Sequence, residues 1–297
     1  MRCNWKLALG AVALALAPAT QAQEGAGDVV YVPTPQIVVD EMLKMAKVGP
    51  KDFVIDLGSG DGRMVITAAK KFGARGFGVD LDPVLLKRSN DTARAEGVAD
   101  RARFVDQNLF ETDLSQATVI TSYLLPEMNA KLRPKILALK PGTRVVAHDY
   151  HMGDWLPDEE RTLQVPEKKV GNPGVSYVYF WLVPARLAGH WNSEVVTKAG
   201  AQKIEFLFDQ RYQSLSGSAR TGGQDLKLRA PKIEGERVSF SLLGKQRQDF
   251  SGVVKGDVIE GTVRTGEGAA AVTTPWTAKL AKRLPAQHEL GPQNQGR

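Results

Sequence analysis

The stretch Phe53-Val54-Ile55-Asp56-Leu57-Gly58-Ser59-Gly60-Asp61-Gly62-Arg63 restricts the fold of this chain more than any other. A short apolar run that ends in an acid, then three glycines at alternate positions, then a helical pattern, reads as a buried strand running into a tight turn that opens a helix. Gly58 and Gly60 permit the turn and let a ligand approach bare backbone, while Gly62 lets the helix pack closely on the sheet. Backbone amides at a helix N-terminus suit an anionic group, a carboxylate as well as a phosphate. Ser59 and Asp61 stand inside this loop, and Asp61 suits either a helix cap or a ligand contact.

The next strand, Gly76 to Val79, ends at Asp80, with Leu81, Asp82 and Pro83 following. An acid about 20 residues beyond a glycine loop in a doubly wound fold accepts hydrogen bonds from ribose hydroxyls. Asp80 and the adjoining Leu81 are therefore read as ligand contacts, and Asp82 before Pro83 as a helix N-cap. After a third strand, Ala102 to Val105, Asn108 is placed against the base and Asp106 is taken as a strand-end acid. A dinucleotide fingerprint is G-x-G-x-x-G. Here the third glycine comes one residue early and an acid, Asp56, precedes the first by two. That pattern is typical of class I S-adenosylmethionine (SAM) methyltransferases and argues against an NAD oxidoreductase. Asp56 is placed to help neutralise the SAM ammonium.

Around this unit, strand runs alternate with helical ones. A helix opens after Thr34-Pro35, and others cover Met64 to Ala69, Pro83 to Ala93 and Glu127 to Leu139. Further strands are read at Ala117–Tyr123, Thr143–Ala147 and Val175–Val183, the last antiparallel at or near the sheet edge. The expected fold class is α/β, a doubly wound, Rossmann-like, mostly parallel sheet. After Pro184 helical spacing gives way to short alternating runs separated by turns such as Thr221-Gly222-Gly223 and Gly256-Asp257. These imply a C-terminal antiparallel β domain, a small sandwich or partial barrel.

The first residues carry a different signal. Arg2 and Lys6 precede the apolar run Leu7 to Leu16, and Ala19-Thr20-Gln21-Ala22 follows Pro18. This is the pattern of a signal peptide cleaved after Ala22, so export to the periplasm is expected. The run is too short to span a bilayer, and no transmembrane segment is expected in the mature chain. Cleavage would remove Cys3, the single cysteine of the 297 residues, and with it any thiol chemistry. The expected division is 1–22 signal peptide, 23–30 lead-in, 31–183 SAM-binding domain, 184–284 β domain and 285–297 disordered tail. The net charge of +6 is spread rather than blocked. Arg101 and Arg103 lack aromatic interleaving, read as a solvated face, and give no sign of a nucleic-acid partner.

Residues 31–155 resemble a seven-β-strand protein-lysine methyltransferase, of the family that includes the mitochondrial ATP-synthase c-subunit lysine methyltransferase. The resemblance lies in Val32-Pro33-Thr34 ahead of the first helix, in Asp56 to Arg63 with Val65-Ile66 and Ala68-Ala69, in Gly76 to Pro83, and in Leu125-Pro126-Glu127-Met128. Asn108-Leu109-Phe110 departs from it, since the family has Asp where Asn108 stands. The resemblance does not extend to the β domain. It implies methyl transfer from SAM to a nucleophilic nitrogen, a protein lysine. The partner is then a protein or small-molecule methyl acceptor, and no metal is called for. The resemblance and the leader pull against each other, because SAM is made in the cytoplasm. Either SAM reaches the compartment, or another ligand is bound there, or the leader is retained.

The remaining candidates are weighed from the residues. Tyr31 and Thr34 either line the cofactor or cap and staple the first helix. Tyr123, ending the fourth strand, stands at the usual mouth of the acceptor site and is the one catalytic candidate. Two His and one Asp, His148, Asp149 and His151, could bind a metal, but side chains in an extended run do not point together, so they are read as a polar loop or site wall. No dedicated general base is evident. The alternative function is a non-catalytic periplasmic SAM- or nucleoside-binding or assembly module, suggested by the leader and the β domain. Oligomeric state is left open.

Overall fold

The computed structural model describes residues 30–197 and 200–289. The signal-peptide assignment lies outside the described residues. The first half contains α1 (Gln36–Met45), β1 (Phe53–Leu57), α2 (Arg63–Phe72), β2 (Arg75–Asp80), α3 (Pro83–Ala95) and β3 (Ala102–Asp106). It continues with β4 (Val119–Ser122), α4 (Pro126–Leu137), β5 (Arg144–His148), β6 (Glu159–Val165) and β7 (Gly174–Leu182).

The seven strands form one sheet in the order β3-β2-β1-β4-β5-β7-β6. β1 to β5 pair in parallel, while β7 runs antiparallel to both β5 and β6. Alternate residues of each central strand feed opposite faces. Val54, Val119 and Val146 pack with Val38, Met42 and Met64 of the helices on one side. Ile55, Ile120 and Val145 pack with Leu132 and Ile136 of α4 on the other. Burial on both faces is why these strands read as continuous apolar runs. The connection from β3 to β4 returns the chain to the far side of β1. The order therefore reverses between β1 and β4, where ligands bind in open α/β sheets.

The expected α/β class is what the structure shows. β7 is antiparallel and near the edge as read, one strand in; the edge itself is β6, an addition to the sequence reading. Only Val165 of β6 is buried, so no alternating pattern marks it. The strand read at 117–123 is shorter, Val119–Ser122.

The second half forms β8 (Gly189–Thr197), β9 (Gly200–Arg211), β10 (Ser214–Thr221), β11 (Gln224–Lys227) and β12 (Arg229–Glu234). β13 (Arg237–Leu243), β14 (Arg247–Lys255), β15 (Val258–Thr265) and β16 (Val272–Arg283) follow. They make one nine-stranded antiparallel sheet ordered β11-β10-β9-β8-β16-β15-β14-β13-β12. The two edge strands, β11 and β12, are consecutive in the chain, separated by Leu228 alone, so the sheet curls into a near-barrel. Its interior is aromatic: Phe240 and Phe250 stack at 4.9 Å, with Phe206 and Trp276 edge-on to Phe250 at 5.6 and 5.1 Å.

The two sheets are closely joined. Val183, Ala185, Leu187 and Ala188 are buried between them. Gln210 of β9 holds this connection, accepting from the Leu187 N–H at 2.7 Å and donating to the Ala185 carbonyl at 2.9 Å. Beyond it, Trp155 donates to Gln213 at 2.8 Å and stacks on Tyr212. His288 in turn stacks on Tyr212 at 4.3 Å and accepts its backbone N–H. Residues 285–289, grouped on sequence with a disordered tail, thus fold back on β9, with Ala286 buried; residues 290–297 lie outside the described residues. Arg103 is exposed as read, whereas Arg101 is half-buried. Among the described residues no helix is long and apolar enough to cross a membrane.

Candidate active site

The turn after β1 is built by backbone geometry. Gly58, Gly60 and Gly62 have φ of 74°, 53° and 79°, a region costly for other residues. The N–H groups of Gly58 and Ser59 both donate to the Val79 carbonyl, at 3.0 and 2.9 Å, pinning the turn to β2. A Cβ on Gly62 would lie 2.5 Å from the Phe104 ring, so the helix can approach the sheet only with glycine there. Asp80, at the end of β2, reaches back across the turn. Its Oδ2 accepts from the Gly60 N–H at 2.8 Å and its Oδ1 from the Asp82 N–H at 3.0 Å. Asp82 caps α3 as expected, accepting from Val84 and Leu85.

These loops open onto a cavity at the C-terminal ends of β1, β2 and β4. Tyr31, Thr34, Asp56, Gly58, Ser59, Gly60, Asp61, Asp80, Leu81 and Asn108 all line it, as does Tyr123. The structure therefore brings together every residue singled out as a ligand contact or catalytic candidate. The sequence reading missed the apolar part of the wall, which includes Leu85, Leu109, Phe110, Leu124 and Met128. These fall on loops and helix starts with no pattern of their own. Ser122 was missed too, although its place as the last residue of β4 is a signal in this topology.

The electrostatics of the wall are uneven. Asp56 is buried and its carboxyl is pushed up to about 7, chiefly by burial, with the Thr121 hydroxyl at 2.7 Å working against this and the nearby Asp80 and Asp61 adding to it. For Asp61, burial pulls upward, but the hydrogen bonds and charge of Arg63 together outweigh it and hold the carboxyl below the ordinary range. Arg63 also donates to the Thr34 carbonyl at 2.8 Å, so Asp61 and Arg63 fasten the segment before α1 to the glycine loop. The Tyr31 hydroxyl is raised to about 12 by burial and the neighbouring Asp61. Asn108 accepts the Phe110 N–H at its own Oδ1, 2.9 Å away, which leaves its Nδ2 as the group to offer a ligand.

The cluster after β5 differs from its expected form. His148 and Asp149, adjacent in sequence, both have side chains with no exposure. Asp149 has φ of 60°, so the run is not extended there and its side chain turns inward beside that of His148. His151 alone diverges, exposed and edge-on to Tyr179. Burial lowers the His148 ring to about 4, with Asp149 opposing and Lys168 reinforcing, so it is neutral at pH 7. Among the described residues no group of three or more His, Cys, Asp or Glu is arranged to hold a metal.

Comparison with known proteins fits this geometry. Residues 56–159 match the ANTKMT methyltransferase domain family. The protein-lysine N-methyltransferase of Saccharolobus islandicus is 47% identical over 131 residues, covering 43% of this chain and 81% of that protein. The chain belongs to the protein-lysine N-methyltransferase family. Like other members of this family it is a class I SAM-dependent methyltransferase, here with an extra C-terminal antiparallel β domain. A more distant relative is the ATP-synthase c-subunit lysine N-methyltransferase of Xenopus laevis, 35% identical over 129 residues, 43% of this chain and 56% of that one. The chain thus spans little more than half the length of that relative. Among solved structures, an RNA methyltransferase from Salinibacter ruber in complex with S-adenosyl-L-homocysteine is 48% identical, covering 52% of this chain and 96% of that one, with a TM-score of 0.47.

Proposed function

We propose that this protein transfers a methyl group from SAM to a lysine side chain of a protein substrate, with the cavity at the ends of β1, β2 and β4 as its active site. The observation that carries the reading is that the glycine turn, Asp56 and Asp80, at the ends of neighbouring strands, line one cavity, and the charge state of Asp56 supports it. A buried carboxyl pushed up to about 7 is stabilised as an anion by a cation placed beside it.

In the reaction a neutral amine lone pair forms the new N–C bond, the C–S bond of the sulfonium breaks with its electron pair kept by sulfur, and the extra proton on nitrogen passes to water. The chain's residues hold and orient. The amides of Gly58, Ser59 and Gly60 are spent on Val79 and Asp80, so the glycine turn offers the methionyl arm a close approach to bare backbone, and Asp56 faces its ammonium. Asp80 keeps lone pairs free for ribose hydroxyls, since each of its oxygens accepts only one backbone N–H. Leu81 and Asn108 bracket the base, and Tyr31 and Thr34 close the wall opposite. Tyr123 meets the acceptor nitrogen, and the apolar lining excludes water, which favours the neutral amine. Proximity and orientation supply most of the rate, because the donor is already activated.

The names of the relatives support a lysine acceptor. Tritium transfer from labelled SAM to a cell-envelope fraction, with the labelled residue identified by mass spectrometry, tests the reading. Methyl-lysine is expected; label on nucleic acid or small molecules alone overturns the acceptor class. We further propose that residues 1–22 are an export signal. The mature N-terminus of protein recovered from the periplasm should then begin at Gln23, and an intact Met1 there would reject it.

A further inference from the structure

A polar cluster lies buried behind Tyr123. Asp149 Oδ2 accepts the Tyr123 hydroxyl at 3.2 Å and pairs with the Lys168 ammonium. Asp149 Oδ1 accepts the Tyr177 N–H at 3.0 Å. Lys168, itself buried, also donates to the Val175 carbonyl at 2.7 Å. The His148 ring lies 3.9 Å from the Tyr123 ring and is fixed by hydrogen bonds to Ser176 Oγ at 3.0 Å and Thr34 Oγ1 at 3.2 Å. The loop between β6 and β7 closes the arrangement: a Cβ on Gly171 would sit 3.2 Å from the Tyr123 oxygen and 3.3 Å from Asp149 Oδ2.

Two features of this cluster are costly. A non-glycine residue at φ near 60° carries strain of about 1–3 kcal/mol, and Asp149 is such a residue. Removing a carboxylate and an ammonium from water is seldom recovered in full by their attraction. Part of the network serves the sheet, since Asp149 Oδ1 and the Lys168 ammonium bond the Tyr177 N–H and the Val175 carbonyl of β7. Asp149 Oδ2 is left over from that task and meets the Tyr123 hydroxyl.

We propose that Asp149, backed by Lys168, is a positioning residue that commits the Tyr123 proton, so that the phenol oxygen meets the acceptor amine only as a hydrogen-bond acceptor. The proposal rests on the methyltransferase reading above. A phenol has one proton. With that proton donated to Asp149, the oxygen receives an N–H of the incoming amine, and the nitrogen lone pair stays free to face the methyl carbon. A Tyr123 hydroxyl turned the other way would donate to that lone pair and occupy the electrons the reaction needs. Lys168 offsets the charge of the carboxylate, and His148 fixes the ring from its face.

The test compares wild type, Tyr123→Phe, the charge-balanced pair Asp149→Asn with Lys168→Met, and the triple variant. Poly-L-lysine is the acceptor and calorimetry gives SAM affinity. Tyr123→Phe and the paired variant are each expected to lower kcat by about 30-fold or more while SAM affinity stays within about threefold. The triple variant should fall no further than the weaker of the two, because both remove the same interaction. A readout independent of turnover is the Tyr123 hydroxyl proton, seen by NMR as a slowly exchanging signal in wild type and lost in the paired variant. Wild-type kcat in the paired variant, or losses that multiply in the triple variant, would overturn the role of Asp149. Absence of SAM binding by the wild type would instead remove the methyltransferase reading itself.

Discussion

Asp80 Oδ2 and the Gly60 N–H lie 2.8 Å apart, so the carboxylate that ends β2 braces the glycine turn that follows β1. One side chain thereby shapes one half of the cavity and offers its remaining lone pairs to the other. Asp80→Ala removes both. SAM affinity measured by calorimetry should fall by at least about 30-fold, roughly the loss of a pair of charge-assisted hydrogen bonds. Asp80→Asn, which can still accept from Gly60, should lose less.

Asp56 makes the ligand-free protein sensitive to pH. Its carboxyl moves from 3.8 to about 7 on folding. Between those values the unfolded chain has released the proton and the folded chain keeps it, so stability falls as pH rises through this window. Urea unfolding at pH 5 and pH 8 should show wild type losing more stability across this interval than Asp56→Asn. SAM binding has the opposite trend: the cationic ligand favours the carboxylate, so affinity should rise from pH 6 to pH 8 with proton release, and Asp56→Asn should flatten that rise.

Gly62 tests the contact between α2 and the sheet. In Gly62→Ala the new carbon meets Phe104 at 2.5 Å and Ser89 at 2.7 Å in a backbone with φ of 79°. A loss of about 1–3 kcal/mol in chemical denaturation is expected.

Gln210 secures the passage between the sheets. Arg186 is an exposed trypsin site, yet the backbone around it is held by Gln210 and buried neighbours. Native wild-type protein should resist cleavage at Arg186. Gln210→Ala leaves the Leu187 N–H and the Ala185 carbonyl buried without partners, should cost about 1–3 kcal/mol, and should expose Arg186 to trypsin.

The features legible in the sequence are those written in local backbone chemistry. The glycine loop, Asp80 and the Asp82 cap announce themselves because φ, turn geometry and capping depend on neighbours in the chain. β6 did not, since one buried residue in seven leaves no periodicity. The Asp149–Lys168 pair was hidden for another reason. It depends on one residue, Asp149, leaving the extended region, and on β7 returning antiparallel so that Lys168 and Tyr177 arrive beside it. Tyr123 could be placed at a strand end, but the direction in which its proton points is a tertiary fact.

Val30 to Thr34 form one side of the cavity although they precede every strand of the sheet. The pocket is thus finished by a strip of chain outside the sheet, tied to α2 and β5 through the Thr34 bonds to Arg63 and His148. A shortened protein beginning at Pro35 would lose one wall of the cavity and both of those ties at once, so its ligand affinity should fall further than that of Tyr31→Ala.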